Sequence, residues 1–111
     1  MFNILIIDDE DYICKLIYKI AIRKNYNVNI AKNYQELKSI LSQNNFFDIA
    51  LIDYNFEKEK INDIINNIKQ KSENCKIIIM SGSNEDEVDL SINYDKFIYK
   101  PELVETLNNI L

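Results

Sequence analysis

The stretch Ile49-Ala50-Leu51-Ile52-Asp53 decides how this chain is read. An apolar run closed by a carboxylate describes a strand buried on both faces, with its last residue emerging at the carboxyl edge of a sheet. Open α/β sheets keep their chemistry at that edge. Three further largely apolar runs end the same way. Phe2 to Ile7 closes on Asp8, Asp9 and Glu10; Ile77 to Met80 closes on Ser81 and Gly82; Phe97 to Tyr99 closes on Lys100 and Pro101. Laid parallel in one sheet, these runs bring carboxylates, a hydroxyl and an ammonium to a single rim.

The segments between them carry helical spacing. Ile13, Leu16, Ile17 and Ile20 form one apolar stripe, with Asp11 as the expected cap. Asn25 to Asn27 read as a turn into a short strand at Val28, Ile30 and Ala31. Asn33 followed by Glu36 has the form of a capping box, opening a helix over Tyr34, Leu37, Ile40 and Leu41 that Gln43 to Asn45 end. A strand from Phe47 to Asp53, a charged loop from Asn55 to Lys60 and a stripe of Ile61, Ile64, Ile65 and Ile68 follow. The alternation of strands and helices calls for right-handed crossovers and a parallel sheet. After Ser81 the rhythm changes: Val88, Leu90, Ile92 and Tyr94 alternate with polar residues at a period of two. A helix there is expected to be short, irregular or partly extended. Pro101 opens a final helix with Leu103, Leu107, Ile110 and Leu111 on its buried side.

Composition narrows the functional classes. The 111 residues suit one domain, residues 1–111, and 47% hydrophobic with 28% charged residues are ordinary globular values. A net charge of -5 with scattered Lys and Arg argues against a nucleic-acid partner. No run approaches a membrane span and no basic region precedes an apolar signal core, so no membrane partner and a cytoplasmic location are expected. The two cysteines, Cys14 and Cys75, are expected to be buried free thiols, since no His is present to complete a zinc site. Acid–base work falls to carboxylates, hydroxyls, amines or a metal.

Taken together, Asp8-Asp9, Asp53, Ser81 and Lys100-Pro101 at four strand ends resemble the receiver domains of two-component response regulators, especially stand-alone receivers of the chemotaxis and sporulation-relay type. The resemblance covers essentially the whole chain. It implies a flavodoxin-like (βα)5 three-layer sandwich around a five-stranded parallel sheet of order 2-1-3-4-5. It further implies that Asp53 accepts a phosphoryl group from a sensor histidine kinase or phosphotransfer protein. Mg2+ would be held by Asp8, Asp9, Asp53 and the Asn55 backbone carbonyl, with Asp8 acting mainly through bound water. Lys100 would pair with the carboxylate or the phosphoryl group, Ser81 would move to hydrogen-bond it, and Phe97 stands at the place of the switch aromatic. The Lys100-Pro101 peptide would be cis. Such a protein is a signalling switch rather than an enzyme, catalysing at most its own phosphorylation and dephosphorylation. It would signal to a downstream protein target as a monomer or weak dimer.

The residue chemistry is consistent with that picture. Carboxylates gathered within a few ångströms repel unless a cation sits among them or one takes up a proton. A hard divalent ion with oxygen ligands relieves the repulsion. Two features depart from the family pattern. Glu57 and Ile61 occupy places in the loop after Asp53 where Pro and Gly are usual, and the span from Ser81 to Lys100 is shorter by about a turn of helix. Two other readings use the same residues. A Mg2+-dependent phosphohydrolase of the haloacid dehalogenase type would need Asp9 and Asp11 as its acidic pair and leaves Asp53 unused. A binding-only pseudo-receiver would keep the residues without the chemistry.

Overall fold

The computed structural model describes residues 2–43, 45–89 and 91–111. Strands β1 (Asn3–Ile7), β2 (Asn27–Ala31), β3 (Ile49–Asp53), β4 (Lys76–Ser81) and β5 (Lys96–Tyr99) form one sheet of order 2-1-3-4-5 in which every pairing is parallel. Helices α1 (Asp11–Arg23), α2 (Tyr34–Ser42), α3 (Ile61–Lys71) and α4 (Leu103–Ile110) cover its two faces. The architecture is the flavodoxin-like sandwich of order 2-1-3-4-5 that the family resemblance implies.

The uninterrupted apolar runs follow from burial on both sides. Leu5, Ile7, Ala50, Ile52, Ile77 and Ile79 point toward Leu37 of α2 and toward Ile61, Ile64, Ile65 and Ile68 of α3. Their neighbours in sequence, Ile4, Ile6, Leu51, Ile78 and Met80, point toward Ile13, Ile17 and Ile20 of α1 and toward Leu103 and Leu107 of α4. Each buried Leu, Ile or Met side chain contributes about 1.5–3 kcal/mol on leaving water. Because these strands end level with one another, their following residues share one rim.

Local signals hold in part. Asn33 Oδ1 accepts the Glu36 N–H at 2.8 Å, and Glu36 Oε1 accepts the Lys32 N–H at 2.8 Å, so two reciprocal bonds close the N-terminus of α2. Leu37 alone is fully buried in α2; Tyr34, Ile40 and Leu41 are half-buried. Asp11 is not the cap of α1. Glu10 holds that position without a side-chain cap bond, while Asp11 is the first helical residue and faces Lys15 and Lys32. Cys14 and Cys75 are buried free thiols. Asn44 lies outside the described residues. No helix among the described residues is long and apolar enough to cross a membrane.

Among the described residues no α-helix joins β4 to β5, only a 3-10 turn at Glu85–Glu87. Val88 and Ile92 are buried against the α3 side of the sheet, while Asp89, Ser91 and Asn93 are exposed. Among the described residues this stretch forms no strand, so the alternation in sequence does not mark extended backbone. Asp89 Oδ1 accepts the Ser91 N–H at 2.9 Å and its carbonyl accepts the Ile92 N–H at 3.2 Å. Leu90 lies outside the described residues. The expected cis Lys100-Pro101 bond is corrected: no described peptide is cis. Pro101 stands at the head of a 3-10 turn, Lys100–Glu102, that carries β5 directly into α4.

Candidate functional site

The site forms where β1 and β3 end side by side. Asp8 follows the last residue of β1, and its N–H donates to the Ala31 carbonyl of β2 at 3.2 Å, which continues the sheet by one residue and buries the side chain completely. Asp53 ends β3, with its side chain 6% exposed. Lys100 follows β5, with its side chain 11% exposed. Its Nζ lies 3.1 Å from Asp8 Oδ2 and 3.2 Å from Asp53 Oδ1. Residues separated by half the chain thus share one buried ammonium.

A third carboxylate completes the group, and it is Glu10. Asp8 Oδ1 accepts the Glu10 N–H at 2.8 Å, an Asx-type turn, and Glu10 Oε1 lies 2.8 Å from Lys100 Nζ. Oxygen atoms of Asp8, Glu10 and Asp53 lie within 4.8 Å of one another. Asp9 is exposed and is not among the converging three. It lines a cleft with Lys32, Asn33, Tyr34, Phe56 and Glu57, close enough to Asp53 for its charge to act there. Past the strand end the side chains turn in, out and back, so the second residue after Asp8 returns to the rim. The Asx tendency of Asp8 is the sequence signal that could have pointed to Glu10.

Ser81 ends β4 and is buried, with Oγ accepting the Ser83 N–H at 3.0 Å. Asn55 is exposed; its N–H donates to Asp53 Oδ1 at 3.3 Å. Phe97 pairs with Ile79 across the sheet and packs half-buried on the α3-side core. Asp11 is spent elsewhere, 2.9 Å from Lys15 Nζ and paired with Lys32, outside the converging carboxylates. The acidic pair required by the phosphohydrolase reading is therefore not assembled.

Burial sets the electrostatics. Desolvation pushes the Asp8 carboxyl up to about 6, helped by the Asp53 charge and opposed by the Glu10 N–H and by Lys100. Desolvation also raises the Asp53 pKa against the pull of Lys100. Burial alone would lower the Lys100 pKa, but the Glu10 hydrogen bond and the charges of Asp53 and Asp8 raise it instead. Asp8 Oδ2 is completely buried, and the Lys100 ammonium at 3.1 Å is its ion-pair partner. Carboxylate oxygens of Asp8, Glu10 and Asp53 converging within 4.8 Å, two of the residues buried, form an all-oxygen donor set that fits a hard divalent cation.

A doubly wound parallel sheet with buried acids at the ends of β1 and β3 is the architecture of a switch-point site. The family model for the response regulator receiver domain matches residues 4–111, and the chain belongs to that family. It is a receiver domain of two-component signalling. No curated protein matches it in sequence. Among solved structures, a two-component response regulator from Clostridium difficile superposes with a TM-score of 0.80 at 22% identity, covering 99% of this chain and 92% of that one. Response regulator protein TrrA from Thermotoga maritima, solved in complex with Mg(2+)-BeF, is 27% identical with a TM-score of 0.72 over 100% of both chains. A response regulator protein from Burkholderia pseudomallei, solved with a phosphorylated aspartic acid and a calcium ion, is 19% identical with a TM-score of 0.75, covering 96% of this chain and 64% of that one.

Proposed function

We propose that the protein is a phosphorylatable switch in which Asp53 accepts a phosphoryl group from a sensor histidine kinase or phosphotransfer protein. The observation that carries this is the meeting of Asp8 and Asp53 on Lys100, each buried and each within 3.2 Å of the same ammonium. A carboxylate oxygen of Asp53 attacks phosphorus, and the bond from phosphorus to the donor's nitrogen or oxygen breaks, leaving the electron pair on the donor. Lys100 offsets the charge of the transferring group, and the Ser81 hydroxyl, at the end of the neighbouring strand, donates to a phosphoryl oxygen in this reading. Asp8 and Asp53 are the residues to hold Mg2+, with Asp9 and the Asn55 carbonyl as further oxygen donors; the ion supplies positive charge against the phosphoryl oxygens.

Phosphorylation adds charge and three strong acceptors at one point, which draws Ser81 inward and frees space toward Phe97. The altered surface then engages a downstream protein. Acetyl phosphate with Mg2+ tests the reading: intact-mass measurement is expected to show one phosphoryl group on the wild type and none on Asp53→Ala. Equal labelling of both would place the phosphoryl group elsewhere and overturn Asp53 as the acceptor, and no labelling together with no spectral response to Mg2+ and beryllofluoride would leave a binding module only.

A further inference from the structure

We infer that Glu10 is a positioning residue for Lys100, keeping the ammonium beside the site while Asp8 and Asp53 are freed for a divalent cation. The inference rests on the receiver reading and concerns a residue to which that reading gives no role. Lys100 Nζ is shared among three carboxylates, and its shortest contact, 2.8 Å, is to Glu10. The three are unequal. Asp8 and Asp53 are buried at the strand ends, where a cation and the ammonium compete for the same oxygens. The Glu10 side chain is 57% exposed. The ammonium and a divalent ion repel, so a cation can settle on Asp8 and Asp53 only if Lys100 gives way.

Glu10 provides the place to which it gives way. Its backbone is fixed by the N–H donated to Asp8 Oδ1 at 2.8 Å, so the carboxylate that receives Lys100 is anchored to the residue that must release it. Without that carboxylate, Lys100 has only Asp8 and Asp53 among its ion-pair partners and holds them more firmly. Glu10 is not assigned as a metal ligand here; it acts through Lys100.

Calorimetric titration of the metal-free protein with Mg2+ provides the test. Glu10→Gln is expected to weaken Mg2+ binding by about three- to fivefold, the range of a solvent-exposed ion pair. In a Lys100→Met background the same substitution is expected to change nothing, because its intermediary is gone. Glu10→Asp keeps the charge but shortens the reach to Lys100, and it should behave like Glu10→Gln. Persistence of the full effect in the Lys100→Met background, or wild-type affinity in Glu10→Asp, would show that Glu10 acts by charge alone or as a ligand and overturn the inference. Wild-type affinity in Glu10→Gln would do the same while leaving the receiver reading intact. Failure of the wild type to bind millimolar Mg2+ would remove both.

Discussion

The hydroxyl oxygen of Tyr54 accepts the backbone N–H of Asp89 at 3.1 Å, tying the residue after Asp53 to the connection that stands where a fourth crossover helix is expected. Tyr54 is buried in the α3-side core, with Lys58 Nζ 4.9 Å from its ring centroid. A segment with a single 3-10 turn is thus pinned from beneath by a side chain adjoining the phospho-acceptor candidate. Tyr54→Phe removes the acceptor and keeps the ring. It should lower stability by about 0.5–1.5 kcal/mol in urea unfolding and speed amide hydrogen exchange at Asp89. Unchanged exchange at Asp89 would show that the bond does not restrain the segment.

Asp8 makes the metal-free protein pH-sensitive. Its carboxyl is pushed from 3.8 to about 6, chiefly by desolvation, so the folded state binds that proton more tightly than the unfolded chain. The stability it contributes is fully present below about pH 4 and is lost as pH rises through about 6. In magnesium-free buffer, Asp8→Asn should exceed the wild type in stability at pH 7 by roughly 2–3 kcal/mol, with the gap closing toward pH 4. Parallel stability curves for the two proteins across that window would refute the assignment.

Ser72 anchors the approach to β3. Its Oγ accepts the Phe47 N–H at 2.8 Å, and both residues are buried. Ser72→Ala leaves that N–H without a partner and should cost about 1–3 kcal/mol in chemical denaturation. A loss below a few tenths would mean water reaches the amide.

Gly82 invites the opposite expectation. It adjoins Ser81, yet its φ is not in the left-handed region, and an added Cβ would meet nothing within 4 Å. Gly82→Ala should be neutral or stabilise by about 0.4–1 kcal/mol through the unfolded chain, as read by thermal unfolding. A marked destabilisation would point to a close approach at this position that only glycine permits.

Reading the chain for apolar runs found β1, β3, β4 and β5, because burial on both faces permits little else in the central strands, whereas the edge strand β2 was read from its position after the turn at Asn25 to Asn27. It also found the rim, since a polar residue directly after such a run must emerge at the strand's end. The α3 stripe, Ile61 through Ile68, was legible for the same reason: its spacing reports one buried face. Boundaries were less legible. Phe47 is buried but precedes the strand pairing, and Lys96 pairs with Ile78 although its charged side chain is exposed.

What local pattern could specify about this protein was therefore which residues avoid water and which stand at strand ends. The irregular connection after β4 was already signalled by its departure from helical spacing, whereas folding alone settled that Glu10, rather than Asp9, turns back to Lys100. It also settled that Tyr54 meets Asp89. The physical reason is separation along the chain: Lys100 and Glu10 are 90 residues apart, and Asp89 and Tyr54 are 35 apart. Pairings of that kind follow from how the sheet and its connections close in space, and no nearest-neighbour preference encodes them.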